Sequence, residues 1–151
     1  MMLMVEMNDA KAYLQQVEKY DKMINSKQAD LEFLRSLVTK VTPTLKEDVV
    51  STSGSNSKFE DVMAKIIDLE AEINNLTDLF IDHKEKVKNN ICKLQVQRQQ
   101  EILHMKYLNY QNFNVIASEL NMTVRGCRKA HDKALESLKK VLNYTTYSAN
   151  P

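Results

Sequence analysis

The chain has 151 residues, which suits one domain or two small ones, and its 43% hydrophobic and 27% charged residues are typical of a globular protein. Two glycines and two prolines are too few for the frequent turns of an all-β fold, so the composition predicts an all-α protein. The formal charge of +1 is unevenly divided, because residues 1–94 hold 13 basic and 16 acidic side chains and residues 95–151 hold 8 and 4, and this asymmetry predicts that only the C-terminal part contacts a polyanion.

The sequence contains none of the common signatures of catalytic or metal chemistry. Cys92 and Cys127 stand far apart, so neither a zinc-binding motif nor a disulfide framework is expected, and a reducing cytoplasm suits both thiols. A glycine-rich phosphate loop, a metal-ligand cluster and a supported Ser/His/Asp set are all missing. The apolar start MMLMV is too short for a signal peptide, and no apolar run reaches the roughly 18 residues of a membrane span. We therefore expect a cytoplasmic protein that is not an enzyme, needs no cofactor or metal, and does not contact a membrane.

The first predicted helix runs from about Asn8 to Val41. Apolar side chains recur every seven residues along it in two series, as in a coiled coil, with one polar exception; the series are Ala10, Val17, Ile24, Leu31, Val38 and Tyr13, Tyr20, Lys27, Leu34, Val41. Thr42-Pro43 is predicted to end the helix, because the residue before a proline disfavours the α conformation. Residues 42–57, TPTLKEDVVSTSGSNS, are predicted to be a linker loop.

The second predicted helix runs from about Ser57 to Leu94. Ser57 with Glu60 three residues later forms a predicted capping box. Heptad spacing again gives two series, Phe59, Ile66, Ile73, Phe80, Val87, Leu94 and Val62, Leu69, Leu76, His83, Asn90. Two such stripes predict a long antiparallel two-helix coiled-coil hairpin over residues 8–94, for oligomerisation or partner binding. His83 is expected to be a half-buried core histidine or, with Asn90, a marker of the register.

Residues 95–143 follow a different pattern. An amphipathic helix over 97–108, a short helix over 113–120, a turn and a longer basic helix to about Asn143 are typical of a helix-turn-helix. Asn121 is expected to adopt the left-handed conformation at the turn, and Thr123 to cap the last helix. The position of Ala117 is expected to require a small side chain, because the two helices cross closely there. Residues 144–151 are predicted to be a frayed tail.

The first half of the last predicted helix carries the candidate DNA contacts. The side chains predicted to face the core are Cys127, Ala130, Ala134, Leu135 and Leu138. The predicted DNA contacts are the cap residue and the side chains that then face outward, namely Thr123, Val124, Arg125, Arg128, Lys129 and Lys133. Arginine binds guanine O6 and N7 with two hydrogen bonds, lysine donates to guanine or to phosphate, and valine suits a thymine methyl. Four further cations are expected at backbone phosphates: Arg98, Lys106, Lys139 and Lys140. His131 is either a further phosphate contact or a bystander.

The segment EILHMKYLNYQNFNVIASELNMTVRGCRKAHDKALESL resembles region 4 of bacterial sigma factors. The shared pattern is an amphipathic helix, an xIAxxL scaffold helix, a cap residue, and then an Ala-Leu pair near the end of the last helix. Here Thr123 matches the cap and Ala134-Leu135 the pair. The family's base-reading positions match Val124, Arg125, Arg128 and Lys129. Gly126 departs from the pattern, because glycine lowers helix propensity by about 1 kcal/mol in the first recognition turn.

Over residues 10–142 the chain is similar to small proteins of phages and prophages of Gram-positive bacteria, grouped with ArpU- and RinA-like late transcription regulators. This resemblance implies a sequence-specific transcription regulator that binds double-stranded DNA in the cytoplasm of a host bacterial cell. Because two helices alone bury only one seam each, the hairpin is expected to pack on a second copy or on the C-terminal module, and a homo-oligomer, with a dimer favoured, is expected. Host RNA polymerase is a further candidate partner of the hairpin.

Three alternatives remain open at this point. The C-terminal helices also fit a plain three-helix bundle with a solvated basic face. A phage DNA-packaging protein of the small-terminase kind would join a helix-turn-helix to helical oligomerisation segments, and ring-sized oligomers would favour it. A protein-binding adaptor with a degenerate helix-turn-helix would bind no DNA even at low salt, where phosphate contacts are strongest.

Overall fold

The computed structural model describes residues 7–47 and 53–149, and every regular element in those ranges is helical, which confirms the all-α prediction. The elements are two long helices, α1 (Met7–Glu47) and α2 (Ser53–Cys92), a short helix α3 (Gln97–Leu103) that continues as a π-helical turn (His104–Leu108), and then α4 (Phe113–Glu119) and α5 (Val124–Ala149). Within the described ranges, no helix combines the length and the apolar character that crossing a membrane requires.

The chain divides into two compact units. The helix-pair unit is Tyr20–Leu79, and the described part of the C-terminal unit is 7–19 with 80–149. Each long helix contributes residues to both units. This division differs from the boundary between residues 94 and 95 that the sequence suggested, because the ends of α1 and α2 share a hydrophobic core with the helices that follow.

The helix-pair unit is built on the predicted heptad stripes. Leu31, Ile66 and Ile73 are buried, and partly buried side chains pack around them: Leu34, Val38, Val62, Met63 and Leu69. The polar exception, Lys27, lies at the edge of this stripe, where its Nζ is 2.8 Å from an oxygen of Glu72. Packing at heptad spacing therefore stabilises this pair of antiparallel helices, and the lysine is accommodated by an ion pair at its margin.

The helices extend further than the sequence suggested. α1 passes through Thr42-Pro43 to Glu47, and α2 begins at Ser53, so the predicted capping box at Ser57 lies inside a helix. Pro43 lies in the last turns of α1, where its missing N–H removes one backbone hydrogen bond without interrupting the turns before it. Most of the predicted linker 42–57 is therefore helical, and its residues 48–52 lie outside the described residues.

The C-terminal unit has a core shared by the ends of the long helices and by the later ones. Its buried members are Ala10, Leu14 and Val17 of α1, Val87 and Ile91 of α2, Leu94, Leu103, Tyr107 and Leu108, and Ala134, Leu135 and Leu138 of α5. The partly buried Val141 and Leu142 pack against them. Because of this packing, α5 continues past its predicted end at Asn143 to Ala149 and includes the first part of the predicted frayed tail. Residues 150 and 151 lie outside the described residues.

The two polar heptad positions of α2 meet the same residue of α1. The Nε2 atom of His83 lies 2.8 Å from the backbone oxygen of Tyr13, and the Nδ2 of Asn90 donates to the Tyr13 hydroxyl at 2.8 Å. The His83 and Tyr13 rings also meet edge to face, with centroids 5.0 Å apart. The expectation of a half-buried His83 is confirmed. The alternative of a register marker with Asn90 is compatible with it, since shifting the register would break both hydrogen bonds.

Candidate nucleic-acid interface

Helices α4 and α5 form the predicted helix-turn-helix, and backbone hydrogen bonds define its turn. The N–H of Met122 donates to the carbonyl of Ala117 at 2.8 Å. Asn121 has a φ of 55°, the left-handed conformation expected from the sequence, which asparagine tolerates better than most residues. At the start of α4, the Asn112 side chain accepts from the N–H of Val115 at 3.0 Å. Local side chains therefore fix both the start of the scaffold helix and the turn after it.

Thr123 caps α5 as the sequence predicted. Its Oγ1 accepts a hydrogen bond from the N–H of Gly126 at 3.0 Å, which satisfies one of the free donors at the helix start. A Cβ on Gly126 would lie 3.0 Å from the same oxygen. The glycine that departs from the sigma-like pattern thus leaves room for the capping hydroxyl in the first turn of α5.

A small core joins the two helices of the motif to α3. Ile102, Ile116, Ala117 and Cys127 are buried, and partly buried side chains surround them: Met105, Phe113, Leu120, Met122, Val124 and Ala130. Ala117 is 2% exposed, so a larger residue there would displace α5, as the sequence suggested. Burial raises the pKa of the Cys127 thiol, which agrees with its reading as a small core residue. This packing fixes the position of the first half of α5.

The predicted DNA-contacting side chains of α5 fall into three positions around the helix. At about 100° per residue, Arg125 and Lys129 point directly away from the buried Cys127. Lys133 and Arg128 are also exposed and lie on opposite flanks of that outward face. Thr123 is exposed at the helix start.

The sequence prediction of an outward Val124 is wrong, and the outward face also carries acidic side chains. Val124, predicted to face outward, is half-buried and packs against the core of the motif, because it follows the cap on the side turned toward α4. The outward face also changes sign along the helix, since the exposed Asp132 and Glu136 follow Arg125 and Lys129 on it. On the outward face, these acidic side chains therefore separate the cations near the start of α5 from the exposed Lys140.

An aromatic ring brings together two of the predicted contacts. The Nζ of Lys106 lies 4.5 Å from the centroid of the Phe113 ring, and the guanidinium carbon of Arg128 lies 4.6 Å from it. These distances fall within the range of cation–π attraction. The arrangement places a cation of the π-helical turn beside the flank of α5. The sequence pattern did not single out Phe113, since only a tertiary contact gives it this role.

His131 lies beneath this cluster. It is 5% exposed, and its ring contacts Phe113 edge to face with centroids 5.0 Å apart. Its Nε2 is 2.7 Å from the Tyr107 hydroxyl, and its Nδ1 is 3.3 Å from an oxygen of Asp132. Burial lowers the pKa of His131, although the hydrogen bond and the charge of Asp132 act in the opposite direction. Burial, with a smaller contribution from the charge of Asp132, raises the pKa of Tyr107 to about 12. Of the two roles left open by the sequence, the burial of His131 fits that of a bystander and not that of a phosphate contact.

The π-helical turn sets the positions of Lys106 and Tyr107. The N–H of Asn109 donates to the carbonyl of His104 five residues earlier, at 3.1 Å, and Tyr110 follows with a φ of 58°. Because a π-helical turn holds about one residue more than an α-helical turn, its side chains point in different directions from those on a continuous α-helix. Tyr107 consequently reaches the shared core, while Lys106 stays at the surface next to Phe113.

The other predicted phosphate contacts lie apart from this cluster. Arg98 donates from Nη1 to the backbone oxygen of Leu120 at 2.8 Å, and its Nε is 3.9 Å from Glu101. It therefore satisfies a carbonyl at the end of α4 and ties α3 to the turn. Lys139 and Lys140 lie in the second half of α5, half-buried and exposed respectively, beyond the cationic first three turns.

Comparisons with known proteins give a family without a stated function. A search of curated proteins found no match, and a search of solved structures found none either. One family model, described as a protein of unknown function (DUF1492), matches residues 39–139. The match covers about two thirds of the chain and includes α4, the turn after it and α5 as far as residue 139. The chain therefore belongs to the DUF1492 family.

Proposed function

We propose that the protein is a sequence-specific DNA-binding transcription regulator of phage origin, and that the first half of α5 enters the major groove of double-stranded DNA. One observation carries the proposal. Four exposed cations, Arg125, Arg128, Lys129 and Lys133, occupy the first three turns of a helix whose start is capped and whose opposite face is packed on a scaffold helix. A recognition helix uses this N-terminal part to contact base edges.

The arrangement around the helix supports separate roles for these side chains. Arg125 and Lys129 point away from the core, so they are the side chains that would reach base edges, with arginine able to bind guanine O6 and N7 together. Arg128 and Lys133 lie on the flanks, which suits contacts to the phosphates that border the groove. Base contacts would set the sequence preference, and phosphate contacts would set affinity and register.

The regulatory part of the proposal depends on resemblance. The sigma region 4-like pattern around Thr123 and the similarity to ArpU- and RinA-like regulators favour action near a promoter, with host RNA polymerase as a candidate partner. A homo-oligomer, most simply a dimer formed through the long helices, would bind half-sites about one helical turn of DNA apart or a multiple of it. Footprints without that spacing would argue for a monomer.

Substitution of Arg125 tests the role of α5 most directly. A duplex is first enriched from a random-sequence pool by the full chain, and its affinity for the Arg125→Ala variant is then measured. Loss of a bidentate arginine–guanine contact should cost about 1–3 kcal/mol, roughly a 5- to 150-fold loss of affinity. The preference at one base position should also relax.

Arg35→Ala is the matched control, because Arg35 is an exposed arginine of the helix-pair unit that pairs with Glu70 at 2.9 Å. This variant should bind the enriched duplex as the wild type does. Equal affinity of the Arg125→Ala and wild-type proteins would contradict the proposed role of α5.

A protein-binding adaptor is the second candidate, and the hydrogen bond from Arg98 to Leu120 favours it. That arginine uses Nη1 for the Leu120 carbonyl, so fewer of its N–H donors remain for the phosphate contact that the sequence suggested. An adaptor would leave DNA unbound even at low salt. In that case the exposed cations of α5 would face an acidic surface of another protein.

A further inference from the structure

A surface pocket of about 310 Å³ in the C-terminal unit is lined by side chains from four elements. Its cations are Lys11 of α1, Lys106 of the π-helical turn and Arg128 of α5, and we call it the basic pocket. The remaining lining residues are Gln15, Tyr107, Phe113, His131 and Asp132. The end of the long helix α1 thus lies at the flank of the helix proposed to enter the major groove.

The basic pocket carries an excess of positive charge. Its three cations face a single carboxylate, that of Asp132, which is exposed. Burial lowers the pKa of His131, which favours the neutral form of this side chain. A concave site lined by one sign of charge concentrates the electric field and attracts a counter-ion. Anions are therefore the class of ligand that the pocket favours.

The position of the pocket beside α5 indicates which kind of anion it would bind. Arg128 lies on the flank of α5, about 80° around the helix from the outward direction between Arg125 and Lys129. When the outward face of a recognition helix lies in the major groove, its flanks adjoin the sugar-phosphate backbone. A phosphate bordering the groove would then lie next to the basic pocket.

We propose that the basic pocket receives a backbone phosphate of the bound DNA, so that Lys11 of the first long helix is a DNA contact. This inference rests on the proposed function and extends the DNA interface beyond the helix-turn-helix. Lys11 and Lys106 supply ammonium donors, and Arg128 supplies a guanidinium that can bind two phosphate oxygens. The pocket is larger than one phosphate group, which leaves room for the attached sugar.

The Lys11→Gln variant of the full chain tests the proposal, with Lys19→Gln as the matched control. Both lysines are exposed on α1, and both substitutions remove one charge, but Lys19 does not line the pocket. Affinity is measured on the enriched duplex and on a scrambled duplex at several salt concentrations. Each neutralised phosphate contributes about 0.9 to the slope of log affinity against log salt.

Lys11→Gln should reduce the steepness of that slope by about 0.9 and weaken binding by up to about fivefold, equally on both duplexes. Lys19→Gln should behave as the wild type. The Lys11→Gln/Lys106→Gln double variant should lose less affinity than the product of the single losses, because both lysines would contact one phosphate.

Three outcomes would overturn the proposal, and they are distinguishable. If the wild type binds DNA while Lys11→Gln and Lys19→Gln give the same slope, the pocket is not a DNA contact and the proposed function stands. If inorganic phosphate binds the wild type but not Lys11→Gln, and the DNA slope is unchanged, the pocket serves free phosphorylated molecules instead. If the wild type binds no DNA at low salt, the proposed function fails and the inference fails with it.

Discussion

Removal of the N-terminal cap of α5 should destabilise that helix, and the loss of free energy follows from the contacts of Thr123. In Thr123→Ala the N–H of Gly126 loses the oxygen that it contacts at 3.0 Å, whereas the backbone bond from Cys127 to the Thr123 carbonyl, at 2.9 Å, does not need the side chain. Loss of a threonine N-cap costs about 1 kcal/mol, within a range of about 0.5–2 kcal/mol. For a chain of this size, a destabilisation of 1 kcal/mol lowers the melting temperature by about 2–4 °C.

Thermal unfolding followed by circular dichroism measures the global effect, and amide hydrogen exchange locates it. The Gly126 amide should exchange roughly fivefold faster in Thr123→Ala than in the wild type, since 1 kcal/mol changes an equilibrium constant by about that factor. Thr123→Ser keeps a hydroxyl at the same position and is the control, expected to melt near the wild-type temperature. Equal melting temperatures and equal Gly126 exchange in all three proteins would refute the assignment of Thr123 as a stabilising cap.

Two further predictions concern the core and the buried histidine. Ile116→Ala should cost about 2–5 kcal/mol in urea unfolding, because Ile116 is fully buried, whereas Val115→Ala, at a position 39% exposed, should stay within about 0.5 kcal/mol; similar costs for both would contradict the packing of α4 described above. Burial lowers the pKa of His131 in the folded state, so its neutral form is favoured there, and stability should be complete above the ordinary value of 6.5 and decline as the pH falls below it. The test compares the urea midpoint of unfolding at about pH 7.5 with that at about pH 5.5, and His131→Gln should reduce the difference between the two midpoints. The same difference in the variant and the wild type would show that His131 is not the source of this pH dependence.

The elements that the sequence predicted well are those with strong local signals. Heptad spacing identified Leu31, Ile66 and Ile73 as buried positions of the long helices, because one face of each helix packs against its partner at that period. It did not mark Leu14 and Ile91, which are buried in the core shared with the later helices. The turn of the helix-turn-helix was equally well defined. Asn121 and Thr123 act through their own backbone and their nearest neighbours, so their roles depend little on the rest of the fold.

Helix ends were predicted less well, because the local signals there are weak. The Thr42-Pro43 pair and the Ser-rich segment after it indicated a loop, yet α1 continues to Glu47 and α2 begins at Ser53. Preferences of this kind amount to a small free energy per residue, and the packing of long helices outweighs them. The continuation of α5 past Asn143 has the same origin, since Val141 and Leu142 pack on the shared core.

The surroundings of the candidate site were beyond local sequence signals. The basic pocket joins Lys11 to Arg128 across more than a hundred residues, and the cation contacts of Phe113 depend on a π-helical turn that no sequence pattern indicated. Arg98 was assigned to phosphate from its charge alone, whereas its hydrogen bond to Leu120 required the turn to be in place. Charge and spacing identified the cationic face of α5, but the contacts of each side chain depend on tertiary structure.

The central claim, sequence-selective binding of double-stranded DNA, is tested most directly by a fluorescence-anisotropy titration of the full chain. The enriched duplex and a scrambled duplex of equal length are compared between about 50 and 200 mM salt, a range over which phosphate contacts lose much of their contribution. We predict tighter binding to the enriched duplex, by about a thousandfold or more, and a steep salt dependence on both duplexes. Absence of binding at the lowest salt, or equal affinity for both duplexes throughout, would contradict the claim.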